Sequence, residues 1–143
     1  MFKHLFILII ICLCSCCEDH LEECPCYADY QTPKYKGCGP GTVYDLDNNC
    51  STSELFDQIY RVIKYPQKAI IDSIEGRVVI AFDVYVDGSI GNYSVVQDTL
   101  GYGLADAAIE AIMTLNDKGF CPARENCEPV LYNFTLPVKF VLQ

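Results

Sequence analysis

The chain is 143 residues long, a length that suits one domain with short additions. Its 51% apolar and 20% charged residues fit a globular protein and exclude wholesale disorder. With 10 basic against 19 acidic residues, a net charge of −9 and no run of Lys or Arg, it has no surface to neutralise phosphates, so nucleic-acid binding is excluded.

The N-terminus reads Met1-Phe2-Lys3-His4, followed by about ten apolar residues from Leu5, the pattern of a secretory signal. A membrane span needs about 20 such residues, so this segment is too short to be one, and no later stretch qualifies. Leu13-Cys14-Ser15-Cys16 resembles a bacterial lipobox. The resemblance implies cleavage after residue 15, lipidation of Cys16 and anchoring to a membrane through its acyl chains. An ordinary signal peptide is the alternative. Ten cysteines are present. Cys12 and Cys14 leave with residues 1–15 and Cys16 takes lipid, which leaves Cys17, Cys24, Cys26, Cys38, Cys50, Cys121 and Cys127. Export places them in an oxidising compartment, where disulfides are favoured over thiolate metal sites. Cys24-Pro25-Cys26 is also spaced too tightly for a zinc pair. No metal site is expected.

Residues 16–53 combine acidic residues, Pro25, Pro33, Pro40 and the glycines of 37–41 with no apolar period, and read as a Cys-rich tether with one or two local bridges. Fully extended, 17–50 would span about 110–120 Å. The folded unit is expected over 54–143. Ser51-Thr52-Ser53-Glu54 fits a capping box, and Leu55, Phe56, Ile59, Tyr60 and Ile63 follow at helical spacing. Pro66 ends that helix and opens a second, with Ala69, Ile70 and Ile74 on its apolar face and Gly76 at its close. Residues 77–86 and 89–97 read as strands joined by Asp87-Gly88, whose positive φ angles suit a tight hairpin. Leu104–Leu115 is amphipathic and helical, and Gly119 ends it. From Val130 to Leu142 apolar residues alternate over 13 positions, a long strand with one buried face. Pro137 cannot donate to a ladder, so this strand belongs at an edge or bulges there. The expected fold class is α+β, with helices on one face of a three-stranded antiparallel sheet.

Lys64-Tyr65-Pro66, Ile74-Glu75-Gly76 with the strand after it, and Asp87-Gly88 resemble the C-terminal domain of TonB-type energy transducers. Gly103-Leu104-Ala105-Asp106-Ala107-Ala108, the run Phe120-Cys121-Pro122-Ala123 with Cys127 and Pro129-Val130, and Leu136-Pro137-Val138 agree with that family in order and spacing. The lead-in helix is similar to that of Bacteroidetes-type members. The resemblance covers about residues 54–143. It implies a periplasmic domain that binds outer-membrane receptor segments by adding them as a strand beside its last strand. The implied partner-binding residues are Tyr65, Pro66, Val130, Tyr132, Phe134, Leu136 and Val138. Packing at the helix junction is the plainer role for Tyr65 and Pro66.

Phe120 stands where the family has Trp, and Cys121 and Cys127 replace a polar residue and a Gly. A Cys121–Cys127 disulfide is expected, with pairing to Cys50 or Cys38 as the alternative that would clamp the tether to the domain. The family's full-length transducers have an inner-membrane helix and a Pro-rich spacer that this sequence lacks, which leaves the motor-coupling half of the function open. With His4 and His20 as the sole histidines, the domain cannot build a Ser–His or Cys–His nucleophile pair. The carboxylate pairs Asp83/Asp87 and Asp106/Glu110 read as turn and surface chemistry. Neither enzymatic activity nor a cofactor is expected. A second reading is an envelope interaction lipoprotein: Glu18, Asp19, Glu22 and Glu23 resemble surface-export signals, which would turn the domain outward. A long exposed edge strand, or Cys17, would also permit homodimers.

Overall fold

The computed structural model describes residues 24, 26, 28–37 and 49–142, with backbone alone for 49–51. The signal segment, Cys16, Cys17 and Cys38 lie outside the described residues. Two short strands come first, β1 (Tyr30–Gln31) and β2 (Lys34–Tyr35). Helix α1 (Asn49–Val62) starts before Ser51, so Ser51 lies within its first turn and is not its cap. The residues before Leu55 are polar, so the extra turn left no apolar period to read. Leu55 and Ile59, four residues apart, carry its buried face.

Helix α2 (Gln67–Ile71) is shorter than the spacing of Ala69, Ile70 and Ile74 predicts. Ser73 takes a left-handed φ of 56°, and the Ile74 amide donates to the Ala69 carbonyl at 2.9 Å, which closes the helix well before Gly76. Ile70 and Ile71 are exposed and Ala69 is fully buried.

Strands β3 (Gly76–Val84) and β4 (Ile90–Gln97) form the expected hairpin, with Tyr85 and Val86 in its loop. The Tyr85 amide donates to Ser89 O and the Gly88 amide to Tyr85 O, both at 2.9 Å. Gly88, at φ 82°, is the one loop residue with positive φ; Asp87 is not left-handed. The loop is therefore the three-residue type with an αL residue, not a two-residue turn. Asp87 accepts from the Ser89 amide at 2.9 Å and its hydroxyl at 2.6 Å. A Cβ on Gly88 would meet the Phe120 carbonyl, and the Phe120 amide donates to Gly88 O at 2.8 Å.

Helix α3 (Leu104–Met113) begins after Gly103 in the left-handed region and runs into a 3-10 turn, Thr114–Asp117. The chain then forms β5 (Phe120–Cys121), β6 (Ala123–Glu125), β7 (Glu128–Val130) and β8 (Tyr132–Phe140). The main sheet is antiparallel, in the order β4-β3-β8. One face of it packs Val78, Ile80, Phe82, Val84, Leu136, Val138 and Phe140 against Leu55, Ile59, Leu104, Ala108 and Ile112. This is the α+β layer that the apolar periods required. Phe120, in place of the family's Trp, is 1% exposed and lies 6.1 Å from Phe82 and 5.4 Å from Tyr35, ring to ring.

Two smaller pairings attach the N-terminal arm, residues 28–37. β1 joins β6 in a β1-β6-β7 sheet, and β2 pairs with β5. Disulfides Cys24–Cys121 and Cys26–Cys127 fasten the arm covalently. The expected Cys121–Cys127 bond is therefore corrected. Strand β6 runs between these two residues and, at roughly 3.3 Å per residue, keeps them apart. The bridges are not local to the tether either, since they span 97 and 101 residues.

A candidate partner-binding edge on the last strand

Among the described residues β8 pairs with β3 alone, so one of its edges is open. In an antiparallel strand the N–H and C=O of one residue point to the same side, and the side alternates along the chain. The Lys139 amide points away from β3 and donates to the Tyr60 hydroxyl at 3.1 Å. The Leu142 amide turns the opposite way, to the Glu75 carboxylate at 2.6 Å. The outward set is therefore Asn133, Thr135, Pro137 and Lys139. Pro137 lies where its missing N–H costs the ladder nothing, the edge position its sequence required. Tyr60 occupies Lys139, and Pro137 has no donor. The amides of Asn133 and Thr135 have no backbone partner among the described residues, which leaves the first half of β8 open.

The other edge is built differently. Gly91 faces Asp83 and Ser94 faces Ala81, so Asn92 and Tyr93 share one opposite residue; Val96 is a second insertion, before Gln97. Asn92 takes a φ of 52°. Bulges of this kind twist an edge and interrupt its regular hydrogen-bonding row. β8 instead keeps an unbroken register with β3 over nine pairs, from Gly76↔Phe140 to Val84↔Tyr132.

Of the implied partner-binding residues, Tyr132 and Phe134 are half-buried on the helix-covered face, beside the open half. Leu136 (4% exposed) is all but sealed and Val138 (0%) belongs to the core, so Val138 offers no side chain to a partner. Val130 is also corrected: it lies in β7 opposite Ala123, not on the β8 edge. The strand is interrupted at exposed Leu131, and the alternation continues through the interruption, so the period could not reveal it. The face away from the helices has its own cross-strand set. Asp83 accepts from Asn133 at 2.9 Å and Asn92 at 2.7 Å, which joins β8, β3 and β4. Those two hydrogen bonds, Asn133's first, hold the Asp83 carboxyl below its ordinary value of 3.8.

Tyr65 lies at the far end of β8. Its hydroxyl donates to the Ile74 carbonyl, and its ring meets Phe140 edge-on at 5.3 Å. Burial, with Glu75 adding to it, raises its phenol. Pro66 caps α2 at ψ 132°. Tyr65 and Pro66 therefore pack the helix junction, separated from Tyr132 and Phe134 by the Tyr60–Lys139 contact. Asp83 and Asp87 stay in separate networks.

The sequence reading missed Tyr60 as an edge cap, and it offered a clamp of the tether onto the domain only as an alternative, through Cys50 or Cys38 and not through Cys24 and Cys26. Beside the open half lies a cavity of about 190 Å³, walled by Tyr132 and Phe134, by Leu55 and Phe56 of α1, and by Pro33 and Tyr35 of the arm. Tyr60 follows Phe56 by one helical turn and stacks on it at 6.1 Å, a spacing visible beforehand. Nothing local in residues 30–35 marked them as a wall of this cavity.

Residues 61–142, more than half of the chain, match the family described as Gram-negative bacterial TonB protein C-terminal. A solution structure of the Helicobacter pylori TonB C-terminal domain is 25% identical, with a TM-score of 0.54, over 70% of this chain and 87% of that one. A second, shorter solution structure of that domain is 27% identical, with a TM-score of 0.50, over 63% and 91%. No curated protein matches the chain. By the matched residues, the shared architecture and the six motifs in register, the chain belongs to the TonB C-terminal domain family.

Proposed function

We propose that the protein is a lipid-anchored binding module of the cell envelope, held by Cys16, that takes part in TonB-dependent transport by adding a receptor segment as a strand beside β8. The observation that carries this reading is the open outer row of β8 at Asn133 and Thr135, on a strand whose register is unbroken. β-Augmentation needs such a row of main-chain groups. The bulges of β4 argue against the opposite edge. On this reading the Cys24–Cys121 bond shortens the leash from Cys16 to eight residues. At full extension that is about 28 Å, far less than the free tether would reach. The domain then works close to its membrane, on the periplasmic side.

Capture of outer-membrane receptor N-terminal segments tests the proposal. Thr135→Pro removes one outward amide and leaves the ladder to β3 intact, as Pro137 already does. It is expected to weaken capture about tenfold, a hydrogen bond plus the obstruction of the ring. Equal capture by wild type and Thr135→Pro overturns strand addition. The acidic run Glu18, Asp19, Glu22 and Glu23 favours a second reading, an outward-facing interaction lipoprotein. Cleavage of the domain by protease added to intact cells selects that reading over the periplasmic one.

A further inference from the structure

We propose that the disulfide-clamped arm completes a side-chain pocket beside the open half of β8, and that this pocket selects an incoming strand carrying one aliphatic or phenyl-sized side chain opposite Phe134. The inference rests on strand addition at β8 and adds the chemistry of the residue that is read.

A strand paired to Asn133 and Thr135 lies about 4.8 Å from β8 and places its residue opposite Phe134 on the same face as Phe134. That face opens into the cavity of about 190 Å³. An apolar cavity of about 150 Å³ holds benzene, so this one takes a Leu, Ile or Phe side chain. Among the described residues no charged side chain lines it, and its polar groups are hydroxyls of Thr32, Tyr35, Thr52 and Tyr132, so a carboxylate or ammonium placed there would lose its hydration without an opposite charge to offset it. The neighbouring residues of the incoming strand fall on the opposite face, beside the polar side chains of Asn133 and Thr135. The preferred segment therefore alternates polar, apolar, polar.

One wall of the pocket belongs to the arm, through Pro33 and Tyr35. Each arm strand is only two residues long, so its backbone pairing is slight. The covalent hold comes from Cys24–Cys121 and Cys26–Cys127. One dithiol reduces one disulfide to two thiols and is itself oxidised to a disulfide. Two such exchanges remove the covalent hold and leave the arm to its two short pairings and the Tyr35 ring against Phe120. The outward amides of β8 do not depend on it. Oxidation therefore governs which side chain is read, and the edge governs whether any strand binds.

The test uses the full-length lipidated protein in detergent micelles and a fluorescein-labelled seven-residue peptide that alternates Thr with Ala. Its central Ala is replaced in turn by Leu, Phe or Asp, and anisotropy is read up to millimolar peptide. Leu and Phe are expected to bind about tenfold more tightly than Ala, and Asp more weakly than Ala. With dithiothreitol, or in Cys24→Ser with Cys26→Ser, the Leu-to-Ala ratio falls to about one while the Ala peptide still binds. Thr32→Trp, at an exposed position on the cavity wall, keeps both disulfides and fills the pocket. It flattens the ratio in the same way and carries the test if circular dichroism finds the reduced protein unfolded. A Leu-to-Ala ratio near one in the oxidised wild type, or one unchanged by both reduction and Thr32→Trp, overturns the pocket and leaves strand addition standing. Failure of every peptide, together with receptor capture indifferent to Thr135→Pro, overturns strand addition and the pocket with it.

Discussion

The β4-β3-β8 sheet and the arm are held in place by different means. In the sheet, Val78, Ile80, Phe82 and Val84 are wholly sealed, and each fully buried apolar side chain contributes about 1.5–3 kcal/mol. In the arm, Pro33 and Tyr35 are buried while Tyr30 and Thr32 lie exposed, and two disulfides supply the fastening. Burial locates the sheet from its own sequence pattern. The arm buries only Pro33 and Tyr35 and takes the rest of its position from bonds to residues about a hundred positions away. The proposed recognition site lies where the two regimes meet, with a regular edge from the sheet and one pocket wall from the arm.

The two largest expected effects, of similar size, test the sheet and the arm in turn. Phe82→Ala removes a fully buried ring that stacks on Phe134 at 5.3 Å and lies 6.1 Å from Phe120, and should cost about 3–5 kcal/mol in urea denaturation. Replacing the arm's cysteines, Cys24→Ser with Cys26→Ser, should cost about 5 kcal/mol, since one ring of about a hundred residues is alone worth about 4.7 kcal/mol in the chain-entropy model. A cooperative melt should survive this change. If it abolishes the melt, the disulfides hold the sheet as well as the arm and the contrast fails. The smallest effect belongs to the polar set on the open face of the sheet. Hydrogen bonds from Asn133 and Asn92 lower the Asp83 carboxyl in the folded state. A depressed acid contributes stability above its unfolded value and loses it as pH falls through the folded one. The advantage of wild type over Asp83→Asn should therefore be full above about pH 5 and vanish as the pH falls below about 4. Asp87, lowered mainly by the Ser89 hydroxyl, leaves a slope of the same sign in both proteins. An advantage that does not change with pH would mean that the Asp83 charge contributes nothing.

Much of the sheet and helix layer was legible because burial repeats along the chain. The alternation in β8 and the spacing of α3 each announce one apolar face. Pro137 announced an edge, since an absent donor is a local fact. The errors fall where a local pattern has two tertiary outcomes. Val130 keeps the alternation of β8 yet belongs to β7, because a break at an exposed Leu131 does not disturb a period of two. Ile74 keeps the helical spacing of Ala69 and Ile70 yet follows the helix, because Ser73 turns left-handed. Asp87-Gly88 marks a turn, but only Gly88 needs the positive φ.

The sequence alone determined the layered α+β fold, the family and the identity of the edge strand, since each follows from short-range periodicity and a few motifs in fixed order. Which amides of that edge remain open, which cysteines pair and what walls the pocket were decided by tertiary structure. These depend on pairs such as Tyr60 with Lys139, and Cys24 with Cys121, that meet only once the chain has closed on itself. A residue's own neighbours in sequence hold no record of such a pairing, because loop closure over long separations costs nearly the same for many alternative partners. The packed core selects among them.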